Sequence, residues 1–140
     1  KRMTRYWLSI EEGVEFVNFV LDHLQGGELY VPKLKSYRIM DLVEAIAPSC
    51  KYEFCGIRAG EKIHEEMITS SDSRNTIDCG NFYNILSTEK MFNNYLKHYP
   101  TYNKVRENFN YSSGENEEFL TVEEIRDLIR KNIDPKFVPH

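Results

Sequence analysis

Gly56-Ile57-Arg58-Ala59-Gly60-Glu61-Lys62-Ile63-His64-Glu65-Glu66-Met67 is the stretch that the rest of this chain is arranged to hold. An apolar run, Tyr52-Glu53-Phe54-Cys55-Gly56-Ile57, leads straight into it and reads as a short strand ending in a loop. The loop offers a planar cation (Arg58), a glycine (Gly60), a carboxylate (Glu61) and a second cation (Lys62). That set suits a ligand carrying phosphates and vicinal hydroxyls. A guanidinium grips phosphate oxygens with two donors. Glycine lets the backbone approach closely or take positive φ, and a carboxylate accepts hydrogen bonds from neighbouring hydroxyls. The same residues also suit a solvated, charged turn between two elements, because charged loops are common on surfaces.

The chain has 140 residues, the length of one domain. Hydrophobic residues make up 41% of it, which is enough for a core. No stretch approaches the roughly 18 apolar residues that read as a membrane span, and none of these residues reads as a signal peptide. A cytoplasmic location without membrane partners is therefore expected. The formal net charge of −4 disfavours non-specific nucleic-acid binding. Cys50, Cys55 and Cys79 are odd in number and lack CxxC spacing. They read as free thiols in a reducing compartment rather than a disulfide framework or zinc site. The opening Lys1-Arg2-Met3-Thr4-Arg5-Tyr6-Trp7 is basic and aromatic and runs directly into a helix, so it reads as a cut inside a longer protein.

Ser9-Ile10-Glu11-Glu12 is a capping box that opens a helix to about residue 25. Val14, Val17, Leu21 and Leu24 are expected on its buried face, widened by Phe16 and Val20. Gly26-Gly27 stops it, and Glu28-Leu29-Tyr30-Val31-Pro32 is a short strand whose proline suits an edge or an end. A second helix follows, with Ser36 as its expected cap and Ile39, Leu42, Val43 and Ile46 as its stripe. Residues 62–67 suit one helical turn and residues 68–75 a loop. Thr76-Ile77-Asp78 and Asn81-Phe82-Tyr83-Asn84-Ile85-Leu86 suit two short strands. From 87 to 111 the periodicity is poor, and the segment 88–110 is expected to be irregular. Thr121-Val122-Glu123-Glu124 is a second capping box, opening a helix with Val122, Ile125, Leu128 and Ile129 on one face.

His64-Glu65-Glu66 lacks the second histidine of H-E-x-x-H, and no metal site is assigned. There is no G-x-G-x-x-G or Walker loop, no G-x-S-x-G elbow and no Tyr-x-x-x-Lys pair, so no catalytic residue is assigned either. Lys1, Arg2 and Arg5 form a second cationic cluster. Taken with Arg58, it offers two arginines from separate parts of the chain for the two ends of a diphosphate.

Together these blocks resemble one family. Met3-Thr4-Arg5-Tyr6-Trp7 followed by Ser9-Ile10-Glu11-Glu12-Gly13-Val14 resembles the M-T-R-F-W-[I/L]-[T/S]-x-E-x-G-V pattern of bacterial UDP-N-acetylglucosamine 4,6-dehydratases. Glu28-Leu29-Tyr30-Val31-Pro32-Lys33 and Asp41-Leu42-Val43-Glu44-Ala45-Ile46-Ala47 are similar to their next block. Residues 56–68 are similar to their G-I-R-P-G-E-K-L-H-E-E-M-I signature, with Ala59 where proline is usual. The tail is similar to the inverting branch, through Tyr111-Ser112-Ser113-Gly114, Phe119-Leu120-Thr121-Val122-Glu123-Glu124 and Asp134-Pro135-Lys136-Phe137.

The resemblance implies the α/β fold of an extended short-chain dehydrogenase/reductase. The whole chain, 1–140, would be its small C-terminal substrate domain, with mixed short strands and three main helices. An NADP-binding N-terminal Rossmann domain, carrying the catalytic Tyr and Lys, would lie outside this chain. The implied reaction is NADP-dependent 4,6-dehydration of UDP-GlcNAc with inversion at C5, the first step of pseudaminic acid or related surface-glycan synthesis. This part alone would be inactive. Arg5 and Arg58 would hold the UDP diphosphate and Glu61 would meet the ribose. A homo-oligomer is implied for the full enzyme. The alternatives are a retaining dehydratase or a UDP-GlcNAc 4-epimerase on the same scaffold, or a non-catalytic nucleotide-sugar binding or assembly module.

Overall fold

The computed structural model describes residues 2–140. In chain order it has β1 (Thr4–Tyr6), α1 (Ile10–His23), β2 (Glu28–Pro32), β3 (Ser36–Arg38), α2 (Ile39–Ile46) and β4 (Glu66–Ile68). A 3-10 turn (Asp72–Asn75), β5 (Thr76–Asp78), β6 (Phe82–Leu86), α3 (Glu89–His98), β7 (Asn103–Lys104), β8 (Tyr111–Ser112) and α4 (Val122–Asn132) follow. The expected mixture of helices and short strands is found, with four helices in place of three. The chain divides into two compact units, each made of segments distant in sequence.

The first unit takes the residues up to Trp7, Lys35–Glu65 and Ser113–His140. Here β1 and β3 pair antiparallel, Thr4 opposite Arg38 and Tyr6 opposite Ser36. Helices α2 and α4 bury Ala45, Leu120, Ile125 and Ile129, with Trp7, Tyr37, Leu42 and Phe137 packed around them. The capping box of α4 forms as its sequence predicts: Thr121 accepts from the Glu124 N–H while the Glu124 carboxylate accepts from the Thr121 N–H at 2.8 Å. Those bonds, together with Lys35 at 3.2 Å, hold the Glu124 carboxyl below the usual carboxylate range. Arg126 of α4 donates to the carbonyls of Glu44 and Ala45, satisfying acceptors that the end of α2 leaves open.

Ser36 does not cap the second helix. It is fully buried in β3; its N–H donates to the Glu118 carbonyl and its own carbonyl accepts from the Leu120 N–H. Pairing with distant backbone outcompetes the local cap, and α2 starts instead at Ile39 behind Arg38, without a side-chain cap. The expected strand over residues 52–57 is absent. Its backbone meets no partner strand, and Tyr52, Phe54 and Ile57 stay exposed. An apolar run becomes a strand only where a ladder takes its N–H and C=O groups.

The second unit is Leu8–Leu34 with Glu66–Ser112. A four-stranded antiparallel sheet runs in the order β2-β6-β5-β7. Pro32 ends β2 at the sheet edge, where a missing N–H costs no ladder bond. The core gathers Ile77, Cys79, Phe82, Leu86, Phe92 and Tyr95. Strands β4 and β8 pair separately, so residues 66–68 are strand where a helical turn and a loop were expected.

Two sequence expectations are corrected in this unit. Segment 88–110 is not irregular throughout, because it carries α3. Thr88 caps α3 by accepting from the Met91 N–H, and Phe92 and Tyr95 enter the core. Asparagines and lysines dilute the apolar periodicity, but Phe92, Tyr95, Leu96 and Tyr99 keep helical spacing. In α1 the capping box forms, but the side turned to the core is only the Phe16 margin of the expected face, extended by Phe19. Phe16 and Phe19 pack on the core, while Ile10, Val14, Val17 and Leu21 stand 54–82% exposed. Apolar residues cover a broad arc of the helix opposite Glu11, Glu15, Asn18 and Asp22, and the two large rings take the available core.

Candidate functional site

The Arg58-to-Glu61 segment folds as a tight turn inside the first unit. The Glu61 N–H donates to the Arg58 carbonyl at 3.1 Å. Gly60 sits at φ +82, which a type II turn requires at its third position and which glycine adopts without strain. The Glu61 carboxylate closes the turn a second time: Oε2 accepts from the Arg58 N–H at 3.1 Å. This leaves Oε1 and the Arg58 guanidinium in solvent, without a hydrogen-bond or ion-pair partner among the described residues. A cation and an acceptor oxygen are therefore presented from one preorganised turn.

Arg5 lies at the foot of the same loop. Its guanidinium donates to the carbonyls of Thr4 at 2.6 Å, Ile63 at 3.2 Å and Lys62 at 3.0 Å. Its Nε is 3.7 Å from a Glu65 oxygen. Of its five N–H donors, those contacts leave one Nη2 hydrogen for anything else. The structure thus brings Arg5 to the loop of Arg58 and Glu61 chiefly as a brace of the Lys62–Ile63 backbone. Arg2 is exposed, and Lys1 lies outside the described residues.

The foot of the loop is tied down elsewhere as well. The Thr4 N–H donates to the Ile63 carbonyl at 3.0 Å, and Glu65 Oε2 accepts from the Tyr6 N–H at 2.9 Å. His64 Nδ1 is 2.7 Å from the Thr4 hydroxyl, which is 2.7 Å from the Ser113 hydroxyl. His64 and Glu65 thus anchor the foot of the loop. Thr4 and Ser113 carry no local signal for their part in this, because they stand 60 and 49 residues from His64. Each does fall within a motif block that carries the family resemblance.

Two other features are separate from this loop. A polar cavity of about 830 Å³ in the second unit is lined by Ser71, Arg74, Asn93, Lys104 and Glu107 among others. It contains none of the expected site residues. Burial, followed by the nearby Asp78 charge, pushes the Cys79 thiol up to about 12, so it is not poised as a nucleophile. Among the described residues no cluster of His, Cys, Asp and Glu could hold a metal ion, and no helix is long and apolar enough to cross a membrane.

A short-stranded α/β chain presenting an Arg–Gly–Glu turn has clear relatives. The chain belongs to the polysaccharide biosynthesis protein family, whose model matches residues 1–87. It is 39% identical over 135 residues to inverting UDP-N-acetylglucosamine 4,6-dehydratases from two Campylobacter jejuni strains, covering 91% of this chain and 40% of each of those proteins. A UDP-glucose 4-epimerase from Rickettsia canadensis is 28% identical over 131 residues, covering 91% of this chain and 38% of that protein. The fold is shared with Pen from Bacillus thuringiensis, with a TM-score of 0.73 at 22% identity over 93% of this chain and 39% of Pen. The chain spans about two fifths of the length of the curated relatives it matches.

Proposed function

We propose that this chain is the nucleotide-sugar-binding part of an inverting UDP-GlcNAc 4,6-dehydratase. The observation that carries the proposal is 39% identity to such enzymes across 91% of the chain, which includes a preformed turn with a free cation and a free carboxylate oxygen. Arg58 meets the UDP diphosphate with two donors. Glu61 Oε1 accepts from the ribose hydroxyls. Arg5 offers its remaining Nη2 hydrogen to the diphosphate while bracing the loop. Holding UDP this way would fix the sugar carbons against groups carried elsewhere in the enzyme.

Those groups, and NADP, belong to an N-terminal Rossmann half in this reading. The residues here do not fit NADP. The glycines at positive φ, namely Gly26, Gly27, Gly56, Gly60 and Gly80, lie in turns that do not open a helix. The outward apolar stripe of α1 supports the presence of such a half, since relatives of this chain are more than twice its length. On its own the chain is expected to be inactive. Association into a homo-oligomer, action in the cytoplasm and a place at the start of pseudaminic acid synthesis complete the proposal.

The test is kinetic. In the full-length enzyme, Arg58→Ala should raise KM for UDP-GlcNAc about ten-fold or more, the loss expected for a charge-assisted phosphate contact. Glu61→Ala should have a smaller effect. An unchanged KM in Arg58→Ala rejects the phosphate role. The 28%-identical epimerases favour the second reading, a 4-epimerase on the same scaffold. NMR of the product distinguishes a 4-keto-6-deoxy sugar inverted at C5 from a retained product or a 4-epimer.

A further inference from the structure

His64 is the exposed end of a hydrogen-bond chain whose other end is buried. Ser113 is fully buried and Thr4 is 5% exposed. The Ser113 hydroxyl has two partners, the Glu65 N–H at 2.9 Å and the Thr4 hydroxyl at 2.7 Å. The Glu65 N–H can only donate, so it takes a lone pair of Ser113 Oγ. If the Ser113 hydrogen does not point at Thr4, it has no acceptor and, fully buried, no bulk solvent to turn to, and that is costly. Ser113 therefore donates to Thr4 Oγ1. The Thr4 hydrogen then points along the remaining contact, 2.7 Å to His64 Nδ1. An Nδ1 that accepts carries no proton, so the hydrogen of the neutral imidazole sits on Nε2.

The ring is also held in place sterically. A Cβ on Gly114 would lie 2.5 Å from His64 Nδ1, so only glycine leaves room for the ring. A histidine needed only to pin the loop would be satisfied through Nδ1. Here Nε2 points away from the tie and has no partner among the described residues. It is three positions beyond Glu61, on the segment that Arg5 braces.

We infer that Thr4 and Ser113 fix His64 as its Nε2–H tautomer, and that this fixed donor binds an oxygen of the nucleotide sugar held by the Arg58–Glu61 turn. The ligand half of this inference rests on the function proposed above, whereas the tautomer half does not. Thr4, Ser113 and Gly114 are positioning residues, and His64 is a binding residue.

Full-length enzyme labelled with 15N-histidine tests both halves. Long-range proton–nitrogen correlation should show the His64 ring protonated at Nε2 and accepting at Nδ1, and Ser113→Ala should mix the two tautomers. Added UDP-GlcNAc should shift the Nε2 resonance. His64→Ala should raise KM several-fold with kcat nearly unchanged, and His64→Gln, which keeps an N–H donor near Nε2, should recover most of that loss. A ring protonated at Nδ1 in the wild type overturns the tautomer assignment. An unmoved Nε2 resonance, in enzyme whose UDP-GlcNAc binding Arg58→Ala weakens, overturns the binding role and leaves the proposed function standing. Wild-type enzyme that binds no UDP-GlcNAc overturns the proposed function and the ligand half with it.

Discussion

Ala59 stands at the second position of the Arg58–Glu61 turn, where proline presets the backbone φ that a type II turn needs. Its N–H takes part in none of the turn's hydrogen bonds. Ala59→Pro should therefore stabilise the fold by removing freedom from the unfolded chain, a gain of about 0.4–1 kcal/mol. The midpoint of chemical denaturation should rise accordingly, with the turn itself unchanged. Gly60→Ala should act in the opposite direction, because φ +82 strains any residue with a Cβ. Among the thiols, exposed Cys50 and Cys55 should react with a maleimide in the native protein, while Cys79 waits for unfolding. Cys79 also gives a pH signature. Above about 9 the unfolded thiol ionises, while the folded one keeps its proton until about 12. The unfolded state then binds fewer protons, so stability falls as pH rises through this window. Cys79→Ala should flatten that alkaline decline in denaturation midpoints.

At the scale of elements, local chemistry was legible where the sequence could satisfy it nearby. Both capping boxes form because Ser9 and Glu12, or Thr121 and Glu124, need only each other. Thr121→Ala should cost about 1 kcal/mol in chemical denaturation, as the loss of an N-cap does. The misread elements are those decided at long range. Ser36 looked like a cap but pairs with backbone near residues 118–120. The run 52–57 has strand composition but no partner strand. In α1, periodicity revealed a helix but not which part of its apolar arc the core would take. The site divided along the same line: Arg58, Gly60 and Glu61 were readable as one turn, while the bracing by Arg5 and the Thr4–Ser113 tie depend on residues far away in sequence. The exposed stripe of α1 carries its own expectation. Val17→Asp with Leu21→Glu should leave the fold of the second unit intact but lower the melting temperature of full-length enzyme by several degrees or more, about the effect of losing 1–2 kcal/mol in a protein of that size. An unchanged melting temperature would mean that no N-terminal half covers the stripe.

For the molecule as a whole, the two units cut across the order of the chain. Each is assembled from pieces separated by the other, so neither is a simple run of consecutive residues. The first unit ends with Ser113–His140, which supplies α4, the last part of its core and the buried hydroxyl at the base of the His64 tie. Order of synthesis then matters. When a ribosome has released residues as far as 112, the Arg58–Glu61 turn is already outside the exit tunnel. Yet its foot still lacks Ser113, and α2 lacks the helix it packs against. Chains stalled or truncated there should be substrates for proteases and chaperones, because the core of the first unit and the foot of the loop are completed only by residues 113–140.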